Sequence, residues 1–180
     1  PQKVIRNFDK AAISYNKNAK LQFAIAWRLA KLCSKRGVPK GLWLDLGAGT
    51  GLLADALEEL TPPQKVLRVD GSNEMLSRNK PISSKRLWDL NLGLPNLEDL
   101  PTLLASNFTL QWLEDPEGKL KEWFYSLASG GCLALALPVK GSFPEWYQAA
   151  NVAEVPCTAL PLPDPKTLLN KIPKDCIQYR

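Results

Sequence analysis

The chain has no histidine. That excludes a Cys–His nucleophilic pair and removes the commonest transition-metal ligand, so no metal site is expected. Its four cysteines, Cys33, Cys132, Cys157 and Cys176, are scattered and make no C-x-x-C pair. They read as free thiols of a reducing cytoplasm, which is the expected location. No apolar run approaches the length needed to cross a bilayer, so no membrane association is expected. Residues Pro1 to Lys10 are polar and charged without an apolar stretch, unlike a secretory signal. No basic run carries interleaved aromatics, so nucleic acid is not an expected partner. Internal repeats and low-complexity tracts are absent as well. There is no initiator methionine, and the expectation is that the chain begins inside a longer one.

What remains is an ordinary globular composition at 180 residues with a net charge of +5. The length suits one domain with a real core. The positive balance suits an acidic partner. We divide the chain into N-terminal helices (1–37), a strand–helix core (41–150) and an irregular, partly helical extension (151–180).

The organising stretch is Trp43-Leu44-Asp45-Leu46-Gly47-Ala48-Gly49-Thr50-Gly51-Leu52-Leu53. An apolar run breaks into three glycines spaced by two, and a helical pattern follows. Glycine is required where the backbone takes positive φ or a ligand presses against it. At the first strand–helix junction of an open α/β sheet, such a loop cradles a nucleotide or cofactor. The dinucleotide pattern G-x-G-x-x-G is not met, because Leu52 stands where its third glycine belongs. A phosphate loop ending in Gly-Lys-Ser/Thr is absent too. The observed Asp-x-Gly-x-Gly-x-Gly spacing resembles the first motif of class I methyltransferases that use S-adenosylmethionine. An ordinary glycine-rich turn is the alternative.

In chain order, the periodicity predicts helices over Val4–Tyr15 and Asn18–Arg36, the second stopped by Gly37. They precede the first strand and form either a packing layer or a lid. Strands are expected at Leu42–Leu46, Lys65–Val69, Arg86–Trp88, Thr102–Ser106 and Cys132–Leu137. The fifth is apolar on both faces and so is expected to be central. Helices are expected at Leu52–Leu60, Pro116–Leu127, Phe143–Asn151 and Asp164–Leu169, with a strand beginning over Cys176–Tyr179. The alternation over 42–150 predicts a parallel sheet with helices on both faces.

Asp70 closes the second strand, where sheets of this type hydrogen-bond a ribose. The alternative is a helix cap, since Ser72 and Asn73 stand before Glu74-Met75-Leu76; the glycine loop in register with Asp70 favours the ribose role. Asp89 follows the third strand and could accept from an adenine amino group, with Trp88 or Leu90 beside the ring. It could instead form a turn before Asn91 and Gly93. The loop Ser106-Asn107-Phe108-Thr109-Leu110-Gln111-Trp112 leaves the fourth strand toward the ligand crevice. Asn107 could serve the cofactor there, and Trp112 could wall the pocket against a sulfonium or belong to the core.

Several segments together resemble one family, the malonyl-[acyl-carrier protein] O-methyltransferases of biotin synthesis. They are Phe8-Asp9-Lys10-Ala11-Ala12-Ile13-Ser14-Tyr15-Asn16 with Ala19 and Gln22, the glycine motif, and Asp70-Gly71-Ser72-Asn73-Glu74-Met75-Leu76. They also include Ser106 to Trp112, Gly130-Gly131, and Gly141-Ser142-Phe143-Pro144-Glu145. The glycine and aspartate motifs are generic to class I methyltransferases; the N-terminal block and Ser-Asn-x-x-x-Gln-Trp are narrower. The resemblance covers about residues 5–170. It implies a Rossmann-like class I methyltransferase sheet under an N-terminal helical lid, with S-adenosylmethionine as cofactor. The implied substrate is the free carboxyl of a malonyl thioester on acyl carrier protein. Its methylation hides the charge, and elongation enzymes then carry the chain toward pimelate.

The cofactor set expected from motifs and resemblance is Tyr15, Gln22, Asp45, Gly47, Gly49, Gly51, Asp70, Ser72, Met75, Asp89 and Asn107. No catalytic side chain is expected beyond positioning, with Trp112 as a pocket wall. Candidate partners of the malonyl carboxylate are Arg6, Lys10, Lys140 and Arg180. Lys31, Lys35, Arg36 and Lys40 could meet an acidic carrier or form a solvated helix end. The chain departs from the family at Leu100-Pro101-Thr102, where an aspartate-containing turn is usual. Asp89 with Leu94-Pro95 only approximates Asp-x-x-x-Leu-Pro. Too few residues follow strand five for a closing hairpin, so strands six and seven are expected to be missing. Two other readings stand: a class I methyltransferase for another small molecule, and a cofactor-binding scaffold without turnover. A nicotinamide oxidoreductase is disfavoured by the glycine spacing.

Overall fold

The computed structural model describes residues 2–178. Five strands, β1 (Trp43–Leu46), β2 (Val66–Asp70), β3 (Lys85–Leu87), β4 (Leu103–Asn107) and β5 (Cys132–Ala136), form one sheet in the order β3-β2-β1-β4-β5. Every pairing is parallel. The order reverses between β1 and β4, and the crevice at their carboxyl ends is where open α/β sheets bind ligands.

Strand alternation divides the core into two layers. Trp43, Leu103 and Ala105 face α3 (Lys20–Arg36) and α4 (Leu52–Leu60), packing with Ala26, Leu29, Leu53 and Leu57. Leu44, Leu46 and Leu104 face the other way, onto Leu120 and Trp123 of α6 (Pro116–Tyr125) and Leu168 of α8 (Pro165–Leu169). Both layers are apolar, so β1 is buried along its whole length. Helix α3 ends at Gly37, which takes φ +66° as its left-handed cap.

One charge sits inside this frame. Arg68 in β2 is fully buried. Its guanidinium donates to Asp55 at 2.7 Å and to both oxygens of Glu58 at 3.1 and 3.2 Å, pinning α4 against β2. A buried cation is tolerated only when paired in this way.

Three expectations are corrected. The first helix, α1, spans Gln2–Ala11, and a turn separates it from the short α2 (Tyr15–Asn18). Ser14 begins that second helix, so the apolar period through Tyr15 belongs to two segments. Among the described residues the fifth strand is an edge: β5 pairs with β4 alone, and only Ala134 in it is buried. An apolar run by itself does not distinguish an edge from a centre. Over Cys176–Gln178 there is no strand, since Lys174–Cys176 is a 3-10 turn. Tyr179 and Arg180 lie outside the described residues. Other boundaries shift by a residue or two, and α7 covers Pro144–Val152.

Candidate active site

The loops after β1, β2, β3 and β4 converge on one cleft of about 680 Å³, counting its open mouth. Helix α1 and Tyr15 cover it from above: Val4, Ile5 and Phe8 point in, while Arg6 and Lys10 lie on the exposed, opposite face. Helix α1 and the start of α2 (Tyr15–Asn18) are therefore placed as a lid, whereas α3 is a packing layer against α4 and the sheet.

The floor is built by backbone–carboxylate bonds. Gly47 and Ala48 both donate to the Val69 carbonyl, at 2.8 and 3.0 Å, which ties the glycine loop to β2. Gly49 N–H donates to Asp70 Oδ2 at 2.8 Å, and Ser72 N–H to Asp70 Oδ1 at 2.7 Å. Burial raises the Asp70 carboxyl above its ordinary range, and those two N–H groups oppose the rise. Gly47 takes φ +75°, and a side chain there would collide with Thr109, whose hydroxyl donates to the Gly47 carbonyl at 3.2 Å. At Gly49, by contrast, an added Cβ would meet nothing within 4 Å.

The far wall comes from the loop after β4. Phe108 holds φ +56°, an uncommon conformation for a non-glycine residue. Its N–H donates to Ala136 at 2.7 Å, and its carbonyl accepts from Gln111 Nε2 at 2.9 Å. Gln111 thus locks the turn that carries Trp112 into the cleft. Trp112 meets Phe8 edge to face, with centroids 5.6 Å apart, and Phe8 meets Tyr15 at 6.3 Å. Burial, with Asp70 nearby, raises the Tyr15 hydroxyl pKa above its ordinary value.

Three side-chain bonds stitch the N-terminal helices to three ligand loops, two of them from the lid. Ser72 Oγ donates to Asp9 at 2.5 Å, Thr50 Oγ1 to Asn16 at 2.5 Å, and Asn107 Nδ2 to the Gln22 carbonyl at 2.9 Å. The Oδ1 of Asn107 is buried without a partner among the described residues. Asp89 caps the turn after β3, its Oδ1 accepting from the Asn91 N–H and from Asn91 Nδ2, both at 2.9 Å.

Of the residues expected from sequence, Tyr15, Gly47, Gly49, Asp70, Met75, Asp89, Asn107 and Trp112 line the cleft together. Gln22, Asp45, Gly51 and Ser72 stand behind that lining. Gln22 reaches the site only through its carbonyl. Asp45 alternates onto the α4 face, is 1% exposed, and accepts from the Ala54 N–H at 3.0 Å. Burial pushes its pKa up to about 7. Gly51 keeps room for the Asn79 amide and Arg68. Ser72 is a helix cap, its hydroxyl accepting from Met75 N–H at 3.1 Å. The lid apolars Val4, Ile5 and Phe8, and Asn91, Thr109 and Leu113, were not foreseen as lining residues. The period of α1 carried a signal for the first three, since Val4 and Phe8 recur at i, i+4. None of Arg6, Lys10 and Lys140 reaches the cleft, and Arg180 lies outside the described residues. Among the described residues there is no cluster of three metal-ligand side chains, and no helix is long and apolar enough to cross a membrane.

The described lining holds two carboxylates, Asp70 and Asp89, several aromatic rings and no cation. Such a lining suits a ligand that brings hydrogen-bond donors or positive charge together with a ring. It does not suit a pyrophosphate, since the Gly49 N–H already serves Asp70.

Comparison with known proteins agrees with this geometry. A family model described as "Methyltransferase domain" matches residues 44–135, just over half of the chain. Malonyl-[acyl-carrier protein] O-methyltransferases from Alcanivorax borkumensis and Hamiltonella defensa are 34% and 32% identical, each over 79% of this chain. The match covers 50% and 54% of those proteins, so the chain spans about half the length of the curated relatives it matches. Among solved structures, a SAM-dependent methyltransferase from Thermotoga maritima superposes with a TM-score of 0.66 at 20% identity, covering 93% of this chain and 78% of that one. A sugar N-methyltransferase from Streptoalloteichus gives 0.58 at 18%, over 73% and 55%. These two show the fold alone. The family match and the sheet with its glycine loop lead to one conclusion: the chain belongs to the methyltransferase domain family.

Proposed function

We propose that this chain carries the S-adenosylmethionine-dependent methyltransferase activity that esterifies the free carboxyl of a malonyl thioester on acyl carrier protein, in biotin synthesis. The observation that carries the reading is the cleft's charge: two carboxylates and no cation among its described lining residues, beneath aromatic rings. The names of the relatives supply the acceptor.

The residues present fit the cofactor. Asp70 keeps lone pairs for ribose hydroxyls after accepting from Gly49 and Ser72. The space beside Gly49 is open, and Asn107 offers an unpaired buried oxygen. Asp89, Leu90 and Asn91 form the end of the cleft where the adenine would sit.

When bound, S-adenosylmethionine supplies a sulfonium-activated methyl group. The protein supplies position. A carboxylate with a pKa near 4 is already ionised at neutral pH, so the chain needs no general base, consistent with its lack of histidine. Holding the reacting oxygen in line can supply roughly 7–11 kcal/mol of the barrier. Phe8 packs against Trp112 and Tyr15 above the cleft, and with ligand in place these rings would screen the reacting atoms from water. An anion and a cation annihilate charge on the way to the transition state, so an apolar wall such as Trp112 favours reaction over the separated ions.

Intact-mass analysis tests the reading. Malonyl-loaded carrier incubated with the protein and S-adenosylmethionine should gain one methylene, and acetyl-loaded carrier should not. No gain, with S-adenosylhomocysteine still raising the melting temperature, would retain the cofactor and discard the malonyl acceptor.

A further inference from the structure

The chain's positive charge is not spread over its surface. From Lys10 to Leu44 there are eight lysines and arginines and no acidic residue, whereas the whole chain is only +5. The remainder is therefore net negative. Among the described residues, none of those eight cations is in a salt bridge.

Helix α3 puts four of them in line. Lys20, Arg28, Lys31 and Lys35 are all exposed. At 100° per residue they fall within an arc of about 80° and extend about 22 Å along the axis. The buried residues of the helix, Ala26, Leu29, Ala30 and Cys33, lie on the opposite side. A solvated helix face usually alternates signs, because opposite charges at i, i+4 support the helix and like charges weaken it. Here Arg28, Lys31 and Lys35 are successive like-charged neighbours. Apolar surface flanks the stripe: Phe23 is 51% exposed and packs on Trp27 with centroids 6.2 Å apart. An uninterrupted row of cations beside an exposed aromatic is complementary to an acidic partner, which its field would steer onto this face.

The stripe also starts at the cleft. Two residues after Lys20, the Gln22 carbonyl accepts from Asn107, a lining residue. A protein seated along α3 could pass a tethered thioester over that rim.

We propose that the Lys20–Lys35 face of α3 is the docking surface for the acidic acyl carrier protein that presents the substrate. This rests on the malonyl-carrier reading above and adds the surface that recognises the carrier.

The test is direct binding of the full chain to malonyl-loaded carrier protein, with a DNA duplex as a second acidic probe. Three proteins are compared: the wild type, Arg28→Glu/Lys31→Glu, and Lys166→Glu/Lys174→Glu, which makes the same charge change on exposed residues elsewhere. The α3 variant should raise the carrier Kd at least tenfold while the control stays within twofold, and wild-type affinity should fall steadily with salt. An unchanged melting temperature and unchanged S-adenosylhomocysteine binding exclude misfolding; were either to change, the neutral Arg28→Gln/Lys31→Gln pair carries the comparison. Equal losses in both charge-reversal variants, no carrier binding, or stripe-dependent binding of DNA in place of the carrier would each overturn the proposal. Stripe-dependent carrier binding without methyl transfer would keep the docking surface and remove the proposed acceptor chemistry.

Discussion

Asp70 and Gly49, 21 positions apart, are joined by an N–H···O bond of 2.8 Å that ties the end of β2 to the glycine loop. The carboxylate thus shapes the loop as well as facing the cleft. Replacing it removes a charge-assisted acceptor from both. Asp70→Ala should weaken S-adenosylhomocysteine binding by about 1.5–3 kcal/mol, roughly 10- to 150-fold in Kd. Titration calorimetry reads this directly, and an unchanged Kd would remove Asp70 from the cofactor site.

Asp45 lies one layer behind and makes a different prediction. Its folded pKa of about 7, raised by burial, exceeds the unfolded value of about 3.9. The folded state therefore holds this proton more tightly. Its contribution to stability is complete below the unfolded pKa, declines as pH rises, and has gone above about 7. Asp70, raised in the same direction, adds to the slope. The substitution Asp45→Asn keeps an acceptor for the Ala54 N–H and loses the ionisation. The urea midpoint of that variant should therefore fall less steeply than wild type between about pH 4 and 7. Parallel curves would show that Asp45 does not titrate in that window.

Much of this site was legible in the sequence, and the limits have physical causes. The glycine spacing after an apolar run predicted a strand–loop–helix, and α4 occupies Leu52–Leu60 as expected. Asp45 and Asp70 look alike in sequence, each near the end of an apolar strand. Register separates them: Asp45 pairs with Arg68, two residues short of Asp70 on the same face, so it is buried against α4 while Asp70 stands at the strand's end facing the cleft. Gln111 stands in a motif beside a cleft residue, yet its amide bonds the Phe108 carbonyl and holds a turn. The stitches Asp9–Ser72 and Asn16–Thr50 bridge residues 63 and 34 positions apart. No local pattern encodes contacts of that range. The edge position of β5 depends on which strands pair with it, which its own composition does not specify.

The lid's grip on the cleft rests partly on Phe8 against Trp112. An edge-to-face pair contributes about 0.5–1.5 kcal/mol beyond its buried area. Phe8→Ala should open the lid roughly two- to twelvefold more often, while the sheet and its two core layers stay intact. Limited proteolysis would show faster cleavage within residues 2–18 and an unchanged protected core. Equal protection in both proteins would mean that the lid hydrogen bonds of Asp9 and Asn16 suffice without the ring contact.

Gly71 tests the same lid from below. Its φ is outside the left-handed region, so alanine there brings no backbone strain. The added methyl would sit 2.9 Å from Ile5 Cδ1 and 3.3 Å from Ile5 Cγ1, both on α1. Those atoms end a flexible side chain on the lid, so the lid yields before β2 does. Gly71→Ala should speed amide exchange in residues 2–11 several-fold and shift the melting temperature little. Ile5→Ala in the same chain vacates that space and should restore the slower exchange that Gly71→Ala lost. If the double variant exchanged as fast as the single, the methyl would be acting through Asp70 or the Trp88 carbonyl 3.7 Å away, not through the lid.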